Sequence, residues 1–191
     1  MRKFKVARLR NVLLLSLAFG GSSLLFGQVM PAAVSGPNFG AFVSFGGLRT
    51  HVIAYTYNAL GVDGGVYLQQ SPLRGFEVRG ATYPFYARYS QSPLTAGYRV
   101  DLRQPRLPGF EMVAYFGGGM SLAQDAGPHY VATPAQWSPC WQASQSMTLP
   151  MGRWQWKTFD ATWTETYTPL RSLSGISLTT GVAYTFSRPG R

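Results

Sequence analysis

The chain has little of what most folds of its size depend on. Of its 191 residues only 13% are charged, and only 7 of those are acidic. It carries one cysteine, Cys140, and two histidines, His51 and His129. A lone cysteine cannot form an internal disulfide, so no bridge holds the fold together. Two histidines and one cysteine, far apart in the chain, match no metal-ligand spacing, and no metal or cofactor is expected. The glycine-rich "YFGGGM" at 115–120 is not followed by the helix and lysine of a phosphate cradle. Beyond the first 35 residues no apolar run approaches the length of about 18 that a membrane-spanning helix needs.

What is present points to β structure. Aromatics make up 15%, with 22 Gly and 13 Pro, a balance that disfavours both disorder and a helix-rich enzyme. The net charge of +10 suggests nucleic acid until its location is considered. Arg2, Lys3, Lys5, Arg8 and Arg10 all lie in the first ten positions, and the remaining basic residues are scattered. A polyanion-binding stripe is therefore not expected. The basic start runs into "NVLLLSLAFGGSSLLFG", the order of a secretory signal: cationic segment, short apolar run, small residues. Gly20, Gly21, Ser22 and Ser23 interrupt the run, which disfavours a membrane anchor. Residues 1–35 are read as the signal peptide, with cleavage near "AVS" (33–35), and 36–191 as a single β domain.

From Phe39 to Phe186, eight segments of period-two alternation are separated by turn residues: 39–48, 62–70, 76–88, 95–103, 110–120, 141–149, 154–165 and 176–186. One face of each is apolar. The other gathers the charges Asp63, Glu77, Arg79, Arg99, Asp101, Arg103, Glu111 and Asp160, of both signs. An even number of strands near 9–11 residues fits an antiparallel barrel in a membrane, apolar side to lipid. The charges would then pair in a lumen just wide enough for side chains to fill it. The connections "SPLRG", "QPRLPG" and "PMG" are short, whereas 49–61, 121–140 and 166–175 read as longer outside loops. Tyr83, Phe85 and Tyr86, Trp154 and Trp156, and Tyr184 and Phe186 are read as interfacial aromatics.

The last segment, "GISLTTGVAYTF", presents Ile176, Leu178, Val182, Tyr184 and Phe186 on one face, read as facing lipid. Together with "FEVRGATYPF" and "TAGYRV", it resembles the small eight-stranded outer-membrane β-barrel domain proteins, the OmpA-like type, over 39–186. That resemblance implies an all-β, up-and-down transmembrane barrel in the cell outer membrane. It also implies that Tyr184 and Phe186 belong to a C-terminal signal read by the outer-membrane assembly machinery. In the family the aromatic is usually the last residue, whereas "SRPGR" follows here. No peptidoglycan-binding domain follows, so that role of larger relatives does not carry over.

The expected function is structural or adhesive, with outer-membrane lipid as the surroundings and the loop 121–140 as a contact surface for an extracellular partner through His129, Tyr130 and Trp137. Two alternatives come from other classes: a soluble lipocalin-like barrel holding an apolar ligand, and a rim hydrolase using His51 or His129 with Asp125.

Overall fold

A computed structural model describes residues 38–52, 55–71, 73–85, 90–102, 109–124 and 134–186. Arg103, Asp125, His129, Tyr130 and the 1–35 segment lie outside them. Eight strands follow one another: β1 (Asn38–Val52), β2 (Tyr55–Gln69), β3 (Arg74–Phe85), β4 (Ser90–Leu102), β5 (Glu111–Gln124), β6 (Gln136–Met151), β7 (Trp154–Tyr167) and β8 (Ser172–Thr185). Each pairs antiparallel with the next, and β8 pairs with β1, closing the barrel. Closure removes the free sheet edges, although the pairing between β3 and β4 stops at Gly80 and Leu94, below the upper ends of both strands.

The register sets the shape. Stepping across paired residues from Ala41 through Val66, Val78, Ala96, Gly118, Trp141, Glu165 and Ser174 returns to β1 at His51, ten residues further along. With eight strands that stagger corresponds to a tilt of about 40°, or about 2.5 Å of barrel height per residue. A 15-residue strand such as β1 then rises about 35 Å. A membrane barrel needs an apolar band of only about 25 Å.

The surplus explains where the loop-length reading fails. The 49–61 segment is almost all strand, because β1 runs to Val52 and β2 starts at Tyr55. Likewise β7 and β8 leave only 168–171 between them, and the 121–140 segment shrinks to 125–135. Long loops do not sort to one end, apart from that last one. The physical reason lies in the outward residues near the end away from the termini: Arg49, Asn58, Thr82, Ser92, Glu165 and Ser174. Pairing continues there while the apolar alternation stops, since these side chains stand above the apolar band and face water. Alternation reports burial or lipid contact, not pairing itself.

Inside, large side chains sit over small ones. A Cβ on the inward Gly40 would collide with the ring of Tyr67, so glycine there opens the space that this buried aromatic fills. At the two-residue connection between β6 and β7, Gly152 takes φ 75°, the left-handed conformation glycine adopts without strain. Tyr83, read as interfacial, is instead 4% exposed and packs inside with Leu48 and Ala59. Alternation from outward Phe76 and Val78 puts Glu77, Arg79 and Tyr83 on the inner face.

Strand β7 breaks the period within the belt, and a second shift lies higher, between Leu60 and Val62 in the β2–β3 pairing. Pairing of β7 shifts between Lys157 and Asp160 on the β8 side and at Met147/Thr148 on the β6 side. This bulge places Thr158 between the faces, its hydroxyl donating to the Met147 carbonyl at 3.0 Å. Both Lys157 and Asp160 therefore point inward, three residues apart, whereas unbroken alternation would send Lys157 into lipid. Deleting Thr158 removes the extra residue and leaves Lys157 inward, Phe159 outward and Asp160 inward in unbroken alternation, so the variant is expected to keep the folded band that shifts on boiling in a detergent gel. Loss of that band would mean that the bulge itself is needed for the barrel to close.

Candidate functional site

The described charges of the lumen collect in the half of the barrel nearer the termini. Arg79 is the hub. Its guanidinium meets Asp63, meets Asp160 Oδ2 at 3.1 Å, donates to Ser144 Oγ at 2.7 Å and lies 3.8 Å from Glu77. Since β3 is opposite β6 and β7 across the barrel, one side chain ties two facing walls together. Lys157 Nζ donates to Asp160 Oδ2 at 2.6 Å, and Thr162 Oγ1 to Asp160 Oδ1 at 3.2 Å. Arg99 bonds Glu77 at 3.1 Å and lies 3.4 Å from Asp101. The cations also rest on aromatic faces: Lys157 on Phe42 at 3.8 Å and Arg99 on Tyr67 at 4.2 Å. Arg79 and Asp160 are 2% and 1% exposed. At such burial an unpaired charge would be very costly, and the mutual arrangement is what makes the cluster tolerable.

Six of the eight charges named from sequence thus share one network. Glu111 sits half-buried near its lower end, on the inward face of β5, and Arg103 is not among the described residues. Lys157 was missed because the bulge that turns it inward carries no alternation signal. Among the described residues the other half of the lumen is neutral. Tyr115 donates to Thr95, Thr95 to Gln142 at 2.6 Å, and Gln142 to Thr164 at 3.0 Å, with Gln91 bonded to the Leu173 carbonyl beyond. Serine and threonine on an inward face read in sequence like any solvated strand face, so this layer gave no distinctive signal.

The void among the charges, lined by Glu77, Arg79, Arg99, Tyr115, Lys157 and Asp160 among others, has a volume of about 10 Å³, room for a single water. An apolar ligand has no place there. The lipocalin-like alternative requires an apolar interior and a polar exterior, and this barrel has the reverse.

Outside, Ile176, Leu178, Val182 and Phe186 are exposed and Tyr184 half-exposed, all on the outer face of β8. Near the termini an aromatic cluster crosses the closing seam. The Phe39 and Phe186 rings stack at 5.4 Å, Tyr184 meets Phe186 at 5.2 Å, and Trp154 meets Tyr184 at 4.8 Å. The Phe186 amide donates to the Phe39 carbonyl at 2.8 Å, extending the seam past β8. Higher up, Trp141 and Trp163 pack at 5.0 Å, and their indole N–H groups donate to Tyr167 and Ser174. Two aromatic rows separated by Val, Leu, Ile, Phe and Ala are the exterior of a membrane barrel. Trp137 lies not in a loop but on β6, above the upper row and 59% exposed. His51 is exposed at the end of β1, 3.4 Å from the Thr56 hydroxyl.

No protein-family model matches the chain, and a search of curated proteins finds no match. Solved structures do resemble it. Neisserial surface protein A superposes with a TM-score of 0.62 at 12% identity, covering 79% of this chain and 99% of that one. The attachment invasion locus protein Ail of Yersinia pestis gives 0.48 at 11%, over 78% and 97%. The N-terminal barrel of Pseudomonas aeruginosa OprF gives 0.47 at 9%, over 77% and 97%. The fold rests on the first of these: a closed eight-stranded barrel of the outer-membrane type. With its apolar belt, such a barrel belongs in the outer membrane.

Replacing Arg79 by Ala should strand Asp63 and Asp160 together and cost about 3–5 kcal/mol. Arg79→Lys, which keeps the charge but loses the planar fork, is expected to cost less. Urea midpoints of the refolded barrel in detergent measure both. Equal midpoints for wild type and Arg79→Ala would remove the hub role.

Proposed function

We propose that the chain is a non-conducting outer-membrane barrel with a structural or adhesive role. Its lumen is closed by the charge cluster, and the strand extensions above the belt lift a contact surface clear of the lipid. The observation that carries this is Arg79 bonded to both walls around a void of about 10 Å³. A solute path would need these ion pairs to open together. Trp137 stands on the raised rim, and with His129 and Tyr130 of the 121–140 segment it is the proposed contact for an extracellular partner. Residues 1–35 serve as the export signal in this reading.

Refolded protein in planar bilayers should show no stepwise conductance, and cells carrying Trp137→Ala should adhere less to surfaces than wild type. Steady channel steps from the wild-type barrel would overturn the closed lumen, and unchanged adhesion would overturn the contact role of Trp137.

The closing strand is proposed as the segment read by the assembly machinery, through Ile176, Leu178, Val182, Tyr184 and Phe186. Its support is that these side chains lie on one outer face at the seam that closes last in chain order. Phe186→Ser should lower outer-membrane insertion in cells severalfold while the purified chain still refolds in detergent. Failure of both would make the Phe39–Phe186 contact structural instead.

A further inference from the structure

The outer face of β6 holds a polar group where hydrocarbon is expected. Down the belt its outward residues are Trp141, Ala143, Gln145, Met147, Leu149 and Met151, while Ser144 and Ser146 point inward. Gln145 stands about 10 Å below Trp141 and about 15 Å above Met151 along the barrel axis. Its amide is near the belt's midplane, too far from either surface for its side chain to reach water. An amide without a partner in hydrocarbon is costly. The outward Thr180 and the bulged Thr158 avoid that cost by donating to the carbonyls of Lys157 and Met147 at 2.9 and 3.0 Å. Gln145 makes no hydrogen bond through its side chain to any described residue.

Its surroundings are small. Ala114 on β5 and Ala161 on β7 are its direct partners across the sheet, and Ala143 is the next outward residue along β6. Above them stands the aromatic row Phe116, Trp141 and Trp163, with rings 6.0 and 5.0 Å apart. The amide thus lies between alanines, under an aromatic wall and above Met147 and Phe159.

We propose that this face docks a second copy of the same chain, with Gln145 paired to Gln145 of the partner subunit across a two-fold axis. A primary amide is self-complementary: each N–H₂ donates to the other's carbonyl, giving two hydrogen bonds where lipid tails offer none. The alanines let two barrel walls approach closely enough for that pair, as small residues do between membrane helices. The proposal depends on the belt lying in hydrocarbon, which the boiling-dependent gel shift checks separately.

The test places Gln145→Cys in a Cys140→Ser chain, with Val66→Cys as the control at similar height on the opposite wall. Mild oxidation in vesicles should give a disulfide-linked dimer from Gln145→Cys and not from Val66→Cys. In sedimentation across protein-to-detergent ratios, Gln145→Leu should weaken dimerisation about tenfold, and Gln145→Asn by less. Overturning results are a wild type that stays monomeric at every ratio, a Gln145→Leu chain that dimerises as well as wild type, or a Gln145→Cys adduct in native membranes with the mass of a different protein. A Gln145→Leu chain that keeps its gel shift while losing the dimer separates this outcome from loss of the barrel.

Discussion

Everything in this structure follows from the need to satisfy backbone hydrogen bonds where no water is present. In hydrocarbon an open sheet edge is untenable, so β8 must return to β1. Closure at eight strands with a stagger of ten residues then dictates a narrow lumen. A narrow lumen admits side chains but not solvent in quantity, so every inward polar group must find a protein partner or a rare water. The same constraint sets both the greasy exterior and the bonded interior.

Within that interior the two halves are built differently. Toward the termini, charges of opposite sign are neutralised through Arg79, Arg99 and Lys157, each also laid against an aromatic ring. Toward the other end, hydroxyls and amides form a neutral relay through Thr95, Gln142 and Thr164. The charged layer gains from mutual Coulomb attraction in a low-dielectric space, at the cost of desolvating every member. The neutral layer involves a smaller desolvation cost and gains less from each contact. A plug made this way stiffens the barrel across its diameter, since Arg79 reaches from β3 to Ser144 on β6 and Asp160 on β7.

The exterior matches the interior in economy. Trp and Tyr hold the belt's two margins, and the Trp141 and Trp163 indoles find hydroxyl partners on the strands above. The outward threonines of β7 and β8 bond back to the sheet, so the belt presents few open polar groups. Gln145 is an amide that does not follow this pattern. Above the belt the strands continue for about 10 Å with polar faces outward, which makes the rim around Trp137 a rigid sheet extension and not a loose loop.

Much of this was legible in the residues themselves. Period-two alternation in "GISLTTGVAYTF" or "FEVRGATYPF" determines which side chains share a face, because a strand has only two faces. Eight such segments, with charges confined to one face, determine an antiparallel barrel with a polar lumen and an apolar skin. What only the tertiary structure decided is what alternation does not encode. The ends of β1 and β2 near His51 were hidden because strands above the lipid need no apolar face. Tyr83 was misplaced because an aromatic is welcome both in a packed lumen and at an interface. Lys157 was missed because a bulge at Thr158 shifts the period by one residue, and that shift is stabilised by partners from β6 and β8, distant in the chain. Pairing between charges on opposite walls, such as Arg79 with Asp160, depends on the stagger of the whole closed sheet, a property that no single strand contains.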